Sequence, residues 1–86
     1  MRTIEFVPKA FKEYQDWVQK DRKTALRISD LILDILRNPY EGLGKPEPLK
    51  YQFQGYWSRR IDQEHRLIYT INDESVVIIS CYSHYK

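Results

Sequence analysis

Glu47, Arg66 and His84 are the kinds of residue that metal-free RNA cleavage needs. A carboxylate can draw the proton from a ribose 2′-hydroxyl, a guanidinium can stabilise charge developing on the phosphate, and an imidazole titrating near neutrality can protonate the departing 5′-oxygen. The ribose supplies the nucleophile, so no metal or other cofactor is needed, and the two His and one Cys have no ligand spacing. Tyr56, Tyr82 and Tyr85 offer flat faces on which unpaired bases could stack. Each residue also has a plainer reading: Glu47 as a solvated loop acid, Arg66 as a surface ion-pair partner, His84 as an ordinary residue near the chain end.

What decides between these readings is the set of elements that must carry the groups. Gly55 to Ile71 contains two β-rich runs, Tyr56–Ile61 and Arg66–Ile71, joined by the polar segment Asp62-Gln63-Glu64-His65, which reads as a hairpin loop. Alternation puts Leu67, Tyr69 and Ile71 on a core face and Arg66, Ile68 and Thr70 on the other, and opposes Ser58 and Arg60 to Trp57, Arg59 and Ile61. Because a desolvated guanidinium without a partner is costly, the arginines of this hairpin are expected to face solvent or an anionic ligand.

Upstream, Thr3–Val7 has the alternation of a short strand, and Pro8 suits the first turn of a helix. Ala10, Phe11, Tyr14, Trp17 and Val18 form the apolar stripe of that helix, with Lys12, Glu13, Asp16 and Lys20 facing away. Asp21 can cap a second helix with the stripe Ala25, Ile28, Leu31, Ile32, Ile35 and Leu36, which Asn38-Pro39 stops. Tyr40–Lys50 is an ordered loop in which prolines on both sides of Glu47 hold that carboxylate's backbone extended. A short strand is expected around Tyr51–Phe53, a turn at Asn72-Asp73-Glu74, and a nearly continuous apolar strand over Ser75–Tyr82. If Val77 and Ile79 point at the helices, His84 shares the opposite, open face with Arg66. The fold class is therefore α+β: two N-terminal helices on one face of a small, mainly antiparallel sheet, in the order β-α-α-β-β-β with a possible fourth late strand.

Eighty-six residues allow one domain, residues 1–86, with one modest core. No apolar run approaches the roughly 20 residues that span a bilayer, and the first residues lack the apolar stretch of a signal peptide, so a cytoplasmic protein is expected. Cys81, the single cysteine, sits in an apolar run and is expected to be buried. The net charge of +2 is too small to announce nucleic-acid binding, but Lys45, Lys50, Arg59, Arg60 and Arg66 concentrate positive charge between residues 45 and 66.

Gly44-Lys-Pro-Glu-Pro-Leu-Lys50, Trp57-Ser-Arg-Arg-Ile61, Glu64-His-Arg-Leu-Ile-Tyr69, His84-Tyr85 and the Asn38–Gly42 passage together resemble the YoeB/Txe branch of the RelE superfamily, the toxins of bacterial type II toxin–antitoxin modules. The resemblance runs over essentially the whole chain. It implies a microbial-ribonuclease-like fold and a ribosome-dependent endoribonuclease that cuts mRNA in the ribosomal A site. It also implies neutralisation by a cognate YefM/Axe-like antitoxin, and homodimers are common among such relatives. Position by position, it makes Glu47 the general base, His84 the general acid and Arg66 the stabiliser of the transition state. Lys50 and Arg60 would bind phosphate, and Tyr85 would orient the substrate. The competing class is a non-catalytic module that binds RNA or an antitoxin segment on the same basic sheet. Glu47 separates the two, because an acid in a phosphate-binding face weakens binding unless it acts on the substrate.

Overall fold

The computed structural model describes residues 1–83, so His84 and Tyr85 lie outside the described residues. Strand β1 (Thr3–Phe6) leads through extended Val7 into helix α1 (Pro8–Lys20), with Pro8 in the first turn where its missing N–H costs nothing. Asp21 then caps α2 (Arg22–Arg37), its carboxylate accepting from the Thr24 N–H at 3.2 Å and the Thr24 hydroxyl at 2.7 Å. Asn38 closes that helix, and the Asn38 side chain accepts from the Tyr40 N–H at 3.0 Å.

Four more strands complete the sheet: β2 (Glu47–Pro48), β3 (Trp57–Arg60), β4 (Arg66–Ile71) and β5 (Ser75–Ser83), in the spatial order β1-β5-β4-β3-β2. All pairings are antiparallel except β1 with β5, which is parallel. The expected strand around Tyr51–Phe53 is instead a single 3₁₀ turn, and the short strand lies earlier, at Glu47–Pro48. Tyr51 adopts φ 58° to enter that turn, a left-handed conformation incompatible with a strand. The β3–β4 loop forms as expected: Asp62 Oδ1 accepts from the Glu64 N–H at 2.8 Å and the His65 N–H at 2.6 Å.

The core lies between the helices and one sheet face, built from Ala10, Trp17, Ala25, Ile28, Leu31, Ile32, Ile35, Leu67, Tyr69, Val76, Ile78 and Cys81, among others. Fully burying one such aliphatic side chain contributes about 1.5–3 kcal/mol, so this single cluster dominates the favourable side of folding. The α1 stripe is rotated from expectation. Phe11 and Val18 are 49% and 41% exposed, whereas Glu13 is buried at 9% exposure. Residues 10, 13, 14 and 17 are the ones that a 3.6-residue period brings under the helix, and at Glu13 position wins over polarity because partners await it. The facing of β5 also differs. Val76 and Ile78 point into the core, while Val77 and Ile79 are only half-buried; beyond Ile78 the register against β4 shifts twice, and Cys81, out of step with Ile78, faces the core as well. Strict alternation cannot be carried through those shifts to His84.

Candidate active site

Sheet register brings three of the candidate positions to one place. Glu47 pairs with Ser58, Ser58 and Arg60 are two residues apart on one face, and Arg60 pairs with Arg66. Glu47, Arg60 and Arg66 therefore project from the sheet face opposite the helices. A strand spacing of about 4.8 Å and a two-residue repeat of about 6.8 Å separate the Glu47 and Arg66 backbones by roughly 12 Å, a gap that two inward-leaning side chains and one ribose-phosphate unit can fill. Arg66 in turn pairs with Ser83, the last described residue before His84.

Local structure explains how each group is held. Glu47 sits on a two-residue edge strand between Pro46 and Pro48, a position where a proline loses no ladder bond. Buried Leu49 follows it, donating its N–H to the Tyr56 carbonyl at 2.9 Å, which tethers the segment to the start of β3. Arg60 is fixed through its backbone: its N–H donates to the Gly44 carbonyl at 2.7 Å and its carbonyl accepts from Arg27 Nη2 at 3.2 Å. Gly44 has φ 77°, and a Cβ there would fall 2.9 Å from Leu31 Cδ2 and 3.0 Å from the Arg60 carbonyl oxygen, so only glycine permits this approach. Lys50 is exposed and immediately precedes the 3₁₀ turn.

The site's charge is unspent. Among the described residues the side chains of Glu47, Lys50, Arg60 and Arg66 make no hydrogen bond or ion pair. Two cationic side chains directly opposite one another on neighbouring strands repel, and the arrangement is relieved when an anion lies between them. The face is not bare, however: Ser58, Ile68 and Leu49 are buried without belonging to the main core, which gives the cationic groups a partly dry floor.

Arg59 is not part of this face. It is wholly buried on the core side, and every one of its N–H donors has an acceptor. Nε meets the Tyr69 hydroxyl at 3.2 Å, Nη1 meets Asp34 Oδ2 at 2.6 Å and the Leu43 carbonyl at 3.2 Å, and Nη2 meets the Asn38 and Glu41 carbonyls at 2.7 and 3.3 Å. The expectation that this arginine faces solvent assumed that no partners were available inside. Asp34 Oδ2 also accepts from the Leu43 N–H at 2.9 Å, and the Tyr69 hydroxyl donates to the Pro39 carbonyl at 2.7 Å. The Leu43 N–H, together with Arg59 and Arg37, holds the Asp34 carboxyl down to about 2 despite its partial burial. This network ties residues 38–43 to β3 and delivers the chain to Gly44 and so to Glu47. A sequence signal for it existed: Arg59 alternates with Trp57 and Ile61 and so belongs to the apolar register.

Sequence reasoning also missed Glu13. Its Oε1 accepts from the Cys81 N–H at 2.7 Å and the Ser80 hydroxyl at 3.1 Å, and its Oε2 from Lys9 Nζ at 2.7 Å. Burial raises its carboxyl, but these donors outweigh burial and leave it below the ordinary value. Cys81 is buried, and burial together with the Glu13 charge pushes its thiol up to about 12.

Among the described residues no helix is long and apolar enough to cross a membrane. A family model described as the YoeB-like toxin of bacterial type II toxin–antitoxin systems matches residues 6–85. The chain is 49% identical over 85 residues to Toxin YoeB of Mycobacterium bovis, covering 99% of this chain and 100% of that one. In structure it is similar to a YoeB dimer from Staphylococcus aureus, at 47% identity and TM-score 0.92, with 98% of each chain covered. It is also similar to YoeB in a heterotetrameric YoeB–YefM toxin–antitoxin complex from Staphylococcus aureus, at 46% identity and TM-score 0.89, with 99% of each chain covered.

Proposed function

From the premise that this chain belongs to the YoeB-like toxins of bacterial type II toxin–antitoxin systems, we propose that it is a ribosome-dependent mRNA endoribonuclease that arrests translation. The observation that carries the reading is the register that puts an acid, Glu47, on the same face as the unpartnered cations Arg60 and Arg66. A face meant only to hold phosphate gains nothing from that carboxylate.

In this mechanism Glu47 takes the proton from the ribose 2′-hydroxyl at the cut site. The oxygen attacks the adjacent phosphorus, and Arg66 stabilises the charge that builds on the non-bridging oxygens. Lys50 and Arg60 hold the flanking phosphates, and Tyr85 orients the substrate. His84 gives its proton to the leaving 5′-oxygen, so the products are a 2′,3′-cyclic phosphate and a 5′-hydroxyl, and the chemistry uses no metal. The ribosome supplies the orientation of the message, which is where much of the rate arises. A YefM-like antitoxin neutralises the protein, as the Staphylococcus aureus complex suggests by its composition. The protein can also pair with itself, as its relative from that organism does.

Induced expression tests the reading. Growth arrest, relief by the co-expressed antitoxin, and cuts mapped by primer extension within translated messages are expected, with arrest abolished by His84→Ala. Arrest that persists in both His84→Ala and Glu47→Ala, with messages intact, identifies the binding-only reading instead.

A further inference from the structure

β1 ends at Phe6, opposite Ile78 on β5, and the Val7 N–H closes the pairing on the Ile78 carbonyl at 3.1 Å. Among the described residues no strand pairs with that edge of β5 beyond Ile78, yet the strand runs on to Ser83. On its other side the register against β4 shifts twice over the same stretch. A strand end in this position would be free to slip.

Two α1 side chains replace the missing strand. Glu13 Oε1 accepts from the Cys81 N–H at 2.7 Å, and Trp17 Nε1 donates to the Cys81 carbonyl at 3.0 Å, so both main-chain groups of one residue are taken by one helix. Glu13 also accepts from the Ser80 hydroxyl, whose oxygen receives the Tyr82 N–H at 3.3 Å. The Tyr82 ring packs on Trp17 at 5.0 Å, with Lys20 Nζ over both rings at 4.7 and 4.8 Å. Lys9 binds the far carboxylate oxygen and holds the Glu13 carboxylate in line.

We propose that Glu13, seconded by Trp17, is a positioning residue for the nuclease reaction: it locks the register of the last residues of β5 and so fixes the point opposite Arg66 from which the chain passes into His84. The proposal rests on the nuclease reading given above. Glu13 lies on the helix side of the sheet and acts only through the strand.

The test uses the full-length chain on translating ribosomes under single-turnover conditions. Glu13→Ala is expected to slow cleavage about 10- to 100-fold, the scale of an ångström-sized misplacement, while the ribosome concentration giving half-maximal rate stays within about threefold of wild type. Glu13→Gln keeps an oxygen for the Cys81 N–H and restores most of the rate. In a His84→Ala background, Glu13→Ala should cost nothing more, because the proton donor that Glu13 positions is already gone. Equal losses in both backgrounds overturn the proposal in favour of a general loss of folded protein. The second readout needs no activity: the His84 ring resonances of the free protein should move in Glu13→Ala and stay in Glu13→Gln, and unchanged resonances in both overturn it. Should wild type fail to cut, the nuclease reading falls, while this spectrum still decides whether Glu13 places His84. If Glu13→Ala does not fold, Trp17→Phe removes the bond to the Cys81 carbonyl and carries both arms with the same expectations.

Discussion

At the scale of single residues, the folded chain depends most on a buried charge pair. Arg59 is fully enclosed and Asp34 faces it at 2.6 Å, so removing the acid leaves a guanidinium without its counter-charge in the core. Asp34→Ala should therefore lower the unfolding free energy by about 3–5 kcal/mol in urea titrations, and a loss under about 1 kcal/mol would contradict this account. The pH dependence has a definite sign. A carboxyl held at about 2, against an ordinary 3.8, contributes its full stabilisation above pH 4 and loses it as pH falls towards 2. The difference in melting temperature between wild type and Asp34→Ala should shrink over that window and be constant from pH 5 to 7. Cys81, with its thiol pushed up to about 12, should not react with thiol reagents at pH 8 until the protein unfolds. These two polar cores, around Arg59 and Glu13, escape a reading of the sequence for one reason, although their positions carry a signal. Charge was read as exposure, whereas both residues sit at core positions of their own periodicities and find partners more than 20 residues away.

At the scale of elements, the helices were legible because their stripes extend over several turns and their ends carry Pro8, Asp21 and Asn38-Pro39. The β3–β4 hairpin was legible for the same kind of reason, a polar loop between two alternating runs. Strand β2 was not, since two residues, one of them a proline, have no period to read, and its existence depends on contacts with β3. The β5 facing was misread because its register shifts reverse the alternation midway, and nothing local in an apolar run marks a bulge. The close approach of the Gly44 loop to Arg60 makes a further expectation at this scale. Gly44→Ala strains a backbone at φ 77° and presses a methyl group on Leu31 and Arg60, so it should destabilise by more than about 1 kcal/mol. It should also slow cleavage beyond what stability explains, because it pushes the Glu47 segment off β3; retained rate in a destabilised protein would dissociate the loop from the site.

At the scale of the whole molecule, the topology divides the labour between two sheet faces. Both helices pack on one, and the parallel return of β1 beside β5 closes the core at that side, so the opposite face is left to carry Glu47, Arg60 and Arg66. The grouping of those three was foreseeable in kind, since the basic hairpin and the proline-flanked acid are visible in the chain. Their actual register was not, because pairing Glu47 with Ser58 requires knowing where an edge strand docks. The central claim is that this face breaks an RNA strand with the ribose as nucleophile. Its most direct test is end-group analysis of message cut by the purified protein on translating ribosomes, with Glu47→Ala and Arg66→Ala alongside. The account predicts a 2′,3′-cyclic phosphate upstream and a 5′-hydroxyl downstream, with both variants folded and slowed by about 100-fold or more. A 3′-hydroxyl paired with a 5′-phosphate, or wild-type rates from Glu47→Ala, would contradict it.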